Sequence, residues 1–258
     1  MSDARMQNDK ARAFQALHVR GTPLVLFNAW DAGSARAVAA ADAKAIATGS
    51  WSVAAANGYD DGERMPLALA LDNLRRIVAA VALPVTMDLE SGYGTTPADV
   101  GASVAAALDA GAVGCNLEDS LVADGSLRGI DDQVARLAAA RRAADDAGVT
   151  LYINARTDVF FQSSTAAHGV AMVDAALERA RAYAAAGASG LFVPGVVDET
   201  LIARLVEASP LPVNVMATRG TPERGRLAEL GVARISHGPG PYRGAMQWLT
   251  DAAKAATH

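Results

Sequence analysis

The sequence predicts a single-domain (β/α)8 TIM barrel spanning residues 1–258, and three observations carry that expectation. Eight short apolar runs punctuate the chain, an alanine-rich helical stretch follows each of them, and a length of 258 residues suits one such barrel. The predicted strands are Pro23–Phe27, Ala43–Ala47, Pro84–Asp88, Gly114–Leu117, Thr150–Ala155, Gly190–Val193, Leu211–Val215 and Ala233–Ser236. Each is brief and almost continuously apolar, as a parallel strand covered on both faces should be. The intervening helices are predicted over Ser34–Ala41, Pro66–Val81, Pro97–Ala110, Ile130–Ala147, Val170–Ala186, Glu199–Ala208, Pro222–Leu230 and Tyr242–Ala255. Gly111, Gly148, Gly187 and Gly231 stand where helices should stop, and Pro66, Pro97 and Pro222 where they should start. Residues 9–17 are expected to add a helix across the bottom of the barrel.

Composition narrows the function classes. The formal net charge is −5, with no basic block, so nothing invites nucleic acid. The N-terminal run MSDARMQNDKARAF lacks the apolar stretch of a secretory signal, and no apolar run is long enough to span a bilayer, so a cytoplasmic setting is expected. Cys115 is the one cysteine, which excludes an intramolecular disulfide and a cysteine-rich metal site.

In a barrel of this kind, chemistry gathers at the C-terminal strand ends. The third strand reads VTMDLESGYG, and Asp88 and Glu90, two apart, should point together to the barrel mouth if the backbone stays extended. The fourth strand delivers Glu118 and Asp119. The loop after the second carries Asp60 and Asp61, and the fifth presents Asn154, Arg156 and Asp158. Carboxylates crowded on one rim raise one another's pKa, and a hard divalent cation relieves that crowding; an all-oxygen ligand set suits Mg²⁺, with Mn²⁺ a workable substitute. Arg156 beside them can clamp a carboxylate, and the Gly49–Ser50–Trp51 turn can offer backbone N–H groups. A single strand-end Asp more often caps a helix or pairs with a cation; the grouping of Asp88, Glu90 and Glu118 next to Arg156 is what favours a site.

The run from Gly49 to Asp158 resembles the isocitrate lyase / phosphoenolpyruvate mutase superfamily. TGSWSVAAANGYDD is similar to its substrate loop with a trailing Asp, MDLESGYG to its Asp-x-Asp-x-Gly-[Tyr/Phe]-Gly strand, NLED to its Glu-Asp strand and NARTD to its Ala-Arg-Thr-Asp strand. The resemblance implies that Asp88 ligates Mg²⁺ directly while Asp61, Glu90 and Glu118 hold it through water. It implies that Gly49, Ser50 and Trp51 bind the carboxylate of a small 2-oxo acid, with Arg156 and Asn214 also on the substrate. The implied reaction makes or breaks a C–C or P–C bond through a metal-stabilised enolate, in a homo-oligomer (dimer or tetramer). Two departures stand out. Glu90 replaces the usual second Asp, and the lyases' Lys-x-Cys-Gly-His loop is absent: SLVADGSLRGIDD has no Cys, Lys or His, and Ser126 falls where the Cys would be. Ser126 is thus the candidate catalytic residue on that loop, with Asp124 and Arg128 as neighbours, alongside Arg156 and Glu118. An unactivated hydroxyl is a poor acid, so an authentic isocitrate lyase is not expected, and a 2-oxocarboxylate-binding protein without turnover is the alternative. Cys115 reads as core packing and His18 and His168 as surface residues; His237 follows the eighth strand, and His258 stands last. Thr218–Thr221 and Gly238–Gly240 would serve a phosphate-binding barrel, a third reading.

Overall fold

The computed structural model describes residues 3–257, and His258 lies outside them. Strands and helices alternate as the apolar pattern requires: α1 (Asp3–Ala16), β1 (Leu24–Leu26), α2 (Ala32–Ala40), β2 (Ile46–Ala47), α3 (Ser50–Ala56), α4 (Leu67–Ala80), β3 (Val85–Asp88), α5 (Pro97–Asp109), β4 (Gly114–Glu118), α6 (Ile130–Asp146), β5 (Tyr152–Arg156), α7 (Val170–Ala185), β6 (Gly190–Val193), α8 (Glu199–Ala208), β7 (Val213–Met216), α9 (Arg224–Glu229), β8 (Arg234–Ser236) and α10 (Gly240–Thr257). All ladder pairs are parallel, in the order β1-β8-β7-β6-β5-β4-β3-β2. The remaining seam is closed by a single parallel bridge, Ala29 to Thr48, with Ala29 N–H donating to the Ala47 carbonyl at 2.8 Å. The fold is a (β/α)8 barrel.

Local chemistry sets the helix ends. Thr96 and Asp99 cap one another's backbone with Pro97 at the first turn of α5, Asp31 and Ser34 do the same for α2, and Asp198 caps α8. The four glycines expected after helices all take positive φ. A helix not foreseen is α3: the residues read as a Gly49–Ser50–Trp51 turn are instead an N-cap and the first helical turn.

At the bottom, α1 begins earlier than residue 9 and lies over the N-terminal ends of β4 and β5. Gln7 Nε2 donates to the Leu108 and Ala112 carbonyls at 2.8 and 2.9 Å, and Asn8 Oδ1 accepts from Thr150 N–H at 2.8 Å. Phe14, fully buried, fills the space left by Gly114, where a Cβ would sit 2.9 Å from the Phe14 ring. Gly190 is likewise forced, since a Cβ there would lie 2.3 Å from the Tyr152 hydroxyl. Beneath these residues His18 is buried, not a surface residue: its ring stacks on Tyr152 at 3.7 Å, and Nδ1–H donates to the Phe14 carbonyl at 2.9 Å. The sequence concealed this because His18 follows a polar helix end, while burial comes from the tertiary closure of the bottom. Nε2 has no partner among the described residues, and burial, then the charge of Arg234, push the imidazole down to about 3, so it is neutral at neutral pH.

A depressed His pKa contributes stability that is fully present above the unfolded value of 6.5 and is lost as the pH falls toward 3. Urea unfolding should therefore show the wild type losing about 3 kcal/mol more than His18→Phe between about pH 7 and about pH 4. Parallel acid limbs for the two proteins would contradict a buried neutral His18.

Candidate active site at the barrel mouth

The strand ends open on a cavity of about 180 Å³, lined by the polar side chains of Ser50, Asp61, Asp88, Asn116 and Arg156 and by the apolar ones of Trp51, Phe161, Phe192 and Met216. Asp88 ends β3 and is fixed at three points. Its N–H donates to Thr48 Oγ1 at 3.0 Å, and its Oδ2 accepts from the Ser50 N–H at 3.2 Å and the Ser50 hydroxyl at 3.0 Å. Its Oδ1 is buried and has no partner among the described residues. Ser50 thus spends its backbone donor on Asp88, a use the turn reading did not foresee. Asp61 lines the same cavity, and burial of its carboxyl, followed by repulsion from Asp88, pushes it up.

Glu90 does not extend the line of Asp88. The strand has ended, Glu90 takes φ +50, and the side chain turns into the wall. There Oε1 accepts from the Tyr93 hydroxyl at 2.7 Å and Oε2 from the Glu63 N–H at 2.6 Å. Period-two reasoning fails here because it assumes an extended backbone. Burial raises this carboxyl to about 7. Glu63 completes the knot, accepting from the Ser91 hydroxyl and the Tyr93 N–H.

Arg156 and Glu118 end neighbouring strands in register, and Arg156 Nη1 meets Glu118 Oε2 at 2.7 Å. Its other edge grips Asp158 bidentately, Nε to Oδ1 at 2.6 Å and Nη2 to Oδ2 at 2.9 Å. The guanidinium also lies 5.7 and 6.0 Å from the Phe161 and Phe192 ring centres, where their π faces favour a cation. Burial pushes Glu118 up despite this partner. Asp119 faces away from the cavity, as an orienting residue would. It accepts from the Asp158 N–H, the Tyr183 hydroxyl and Arg179, locking the loop that carries Asp158.

Four expected residues do not line the cavity: Glu90, turned into the wall, Glu118, held behind Arg156, and Asn214 and Ser126. Asn214 lies one layer deeper, its Nδ2 donating to Ser236 Oγ at 3.1 Å. Ser126 sits on a small hairpin closed by the Ser120–Leu127 bridge, and its hydroxyl donates to exposed Asp124 at 2.7 Å. Arg128 is spent on Asp132. Asn28, Asn116 and Ser236 line the cavity without having been singled out from the sequence. Asn28 is the rivet of the mouth, donating to the Thr48 carbonyl and accepting from the His237 and Gly238 N–H groups. The rule of weighing polar strand ends would have found it after PLVLF.

Among the described residues no three His, Cys, Asp or Glu side chains converge to ligate one ion directly. The unpartnered Oδ1 of Asp88 is nonetheless what a single direct carboxylate ligand would present, and its charge reaches Asp61, Glu90 and Glu118, each pushed up in part by it. Removing Asp158 takes two of the three close contacts of Arg156 and leaves Glu118 as its acidic partner, so Asp158→Ala should cost about 2–4 kcal/mol in urea unfolding. A loss below about 0.5 kcal/mol would show that the pair is solvent-compensated.

The chain matches the phosphoenolpyruvate phosphomutase family over residues 14–257. The crystal structure of a candidate phosphonomutase from Burkholderia cenocepacia J2315 is 59% identical and superposes with a TM-score of 0.95, covering 97% of this chain and 99% of that one. The 2-methylisocitrate lyase of Escherichia coli K12 is 29% identical over 221 residues, 82% of this chain and 71% of that protein. A phosphonopyruvate hydrolase, solved in complex with oxalate and Mg²⁺, shares the fold at 22% identity with a TM-score of 0.82, over 94% of this chain and 84% of that one. With four sequence motifs, eight parallel strands and a family match along nearly its whole length, the chain belongs to the phosphoenolpyruvate phosphomutase family of the isocitrate lyase superfamily, whose members are lyases, mutases and hydrolases.

Proposed function

We propose that this enzyme binds a small 2-oxocarboxylate at the barrel mouth together with Mg²⁺, and makes or breaks the C–C or P–C bond beyond its adjacent carbon. The observation that carries the reading is Asp88: one oxygen is fixed by Ser50, and the other is buried, unpartnered and beside a cavity sized for a small acid. Asp88 would hold the ion directly, and Asp61, Glu90 and Glu118 through water. When bound, the ion supplies the positive charge that stabilises an oxyanion at the 2-oxo oxygen. The support outside the chain is the oxalate and Mg²⁺ bound by the phosphonopyruvate hydrolase of like fold, and the lyase activity named for the Escherichia coli relative.

The chain's own residues do the rest. Arg156, held flat by Glu118 and Asp158, presents its remaining N–H surface to a substrate oxygen, while Gly49, Ser50 and Trp51 border the acid's other end. The apolar lining of Phe161, Phe192 and Met216 favours an uncharged, apolar remote end over a second carboxylate, because no Lys or Arg besides Arg156 lines the cavity among the described residues. The 2-oxocarboxylate-binding alternative draws on the hairpin, where Ser126 is tied to Asp124 and offers the cavity no acid.

Calorimetric titration with oxalate tests the core of this reading. The wild type should bind it with Mg²⁺ and at least about tenfold more weakly without, and Asp88→Ala should abolish the metal dependence. Binding indifferent to both Mg²⁺ and Asp88, or none at all, overturns it.

We propose further that the chain is a homo-oligomer built through α10. That helix buries no side chain: every residue from Gln247 to Thr257 is exposed, Trp248 by 70% and Leu249 by 52%. Its first turn touches the barrel, where Tyr242 meets Trp30 and Trp51, and Arg243 stacks on Trp51. An amphipathic helix left this bare lacks the burial that stabilises helices. Light scattering should give a mass at least twice that of one chain, and Trp248→Glu should shift it toward the monomer; a wild-type monomer would refute the assembly.

A further inference from the structure

Beneath the cavity floor lies a cation that neither the motifs nor the proposed chemistry uses. Arg234, on β8, points into the barrel and is 1% exposed. It makes no ion pair among the described residues, its Nη1 has no partner, and its two bonds go to neutral oxygens: Nε to Ser236 Oγ and Nη2 to Asn116 Oδ1, both 3.3 Å. Burial pushes it down to about 10, which still leaves it charged at neutral pH. An unpaired buried guanidinium is costly, so its two partners matter: both are side chains of the cavity wall.

A guanidinium only donates. Whatever faces it must be an acceptor, so Arg234 decides the orientation of the Asn116 amide. Oδ1 of Asn116 points down, where it also accepts from Asn154 Nδ2 at 2.8 Å. The reverse orientation would set an NH₂ group against a cation. The Nδ2 of Asn116 is therefore turned away from this network, and it donates to nothing among the described residues. We propose that Arg234 is a positioning residue which holds Asn116 with its NH₂ toward the cavity, and that this NH₂ donates to an oxygen of the bound anion. The inference rests on the reading of the cavity as an anion site, and it adds to that site a specific neutral donor and a fixed positive charge below it.

The test pairs stability with binding, because a merely structural role moves the two together. Asn116→Asp keeps the shape, gives Arg234 an ionic partner and replaces the donor by a carboxylate oxygen. Its Tm should be unchanged or higher, while oxalate affinity in the presence of Mg²⁺ falls at least about tenfold. Arg234→Met removes an unpaired buried charge and frees the amide to turn. Its Tm should also hold, with oxalate affinity down about three- to tenfold. Should the Met variant not fold, Asn116→Asp decides alone. Wild-type affinity in Asn116→Asp, or Tm and affinity falling together in both variants, overturns the proposal. Titrations with and without Mg²⁺ separate the two readings. An Asn116 effect that persists without metal dependence supports this proposal and sinks the metal reading, and metal-dependent binding indifferent to Asn116 does the reverse. A wild type that binds no oxalate overturns both.

Discussion

The pairing of Arg156 with Glu118 and Asp158 organises the mouth, because no other Lys or Arg among the described residues lines the cavity. Around it stand Asp61, Asp88 and Glu90 in addition to its two partners, so the rim carries an excess of negative charge that neutral hydrogen bonds only dilute. Each local arrangement follows from this constraint. Glu90 is turned into the wall and met by Tyr93 and a backbone N–H, Asp88 spends one oxygen on Ser50, and Asp61 and Glu118 are pushed up by burial and by their neighbours. A dication would relieve all of these at once, since it favours the charged form of every carboxylate near it.

The interior of the barrel obeys a related constraint from below. Tyr152, His18 and Arg234 occupy the space that apolar side chains often fill in such barrels, and none of them has an acidic hydrogen-bond partner among the described residues. Arg234 helps to keep His18 neutral, so the bottom plug and the floor of the cavity answer to one buried charge. Polar groups retained here at a cost in stability are best understood through what they orient above: Asn116 and Ser236 at the floor, and through them the donors of the cavity.

The architecture was legible because its signals are local and repeated. Apolar runs such as Pro84–Asp88 and glycines such as Gly187 report backbone state directly, and each predicted strand overlaps an observed one. Asp88, Arg156 and Glu118 were legible for the same reason, as polar residues at apolar strand ends. What escaped depends on where the chain turns after a strand. Glu90 left its predicted direction through one left-handed residue, and α3 replaced a turn. His18 and Arg234 escaped because nothing in their neighbours' chemistry shows that a polar side chain closes inward rather than outward.

The hairpin after β4 takes its place from the same charge pattern. Ser120 donates to Oδ2 of Asp158 at 2.5 Å, the oxygen that Arg156 Nη2 also uses, and Arg128 N–H donates to the Asp119 carbonyl at 2.7 Å. Its tip is fastened by Gln162 to the Gly125 carbonyl. The hairpin therefore shares its anchor with the guanidinium of the site, and a displacement of Ser120 would be felt at Arg156, the cavity group that Asp158 holds. Bonds of this kind tie the hairpin to the loop that carries Asp158. A proton needed at the mouth would accordingly come from water or from a cavity carboxyl such as Asp61, which burial and its neighbour Asp88 have pushed up.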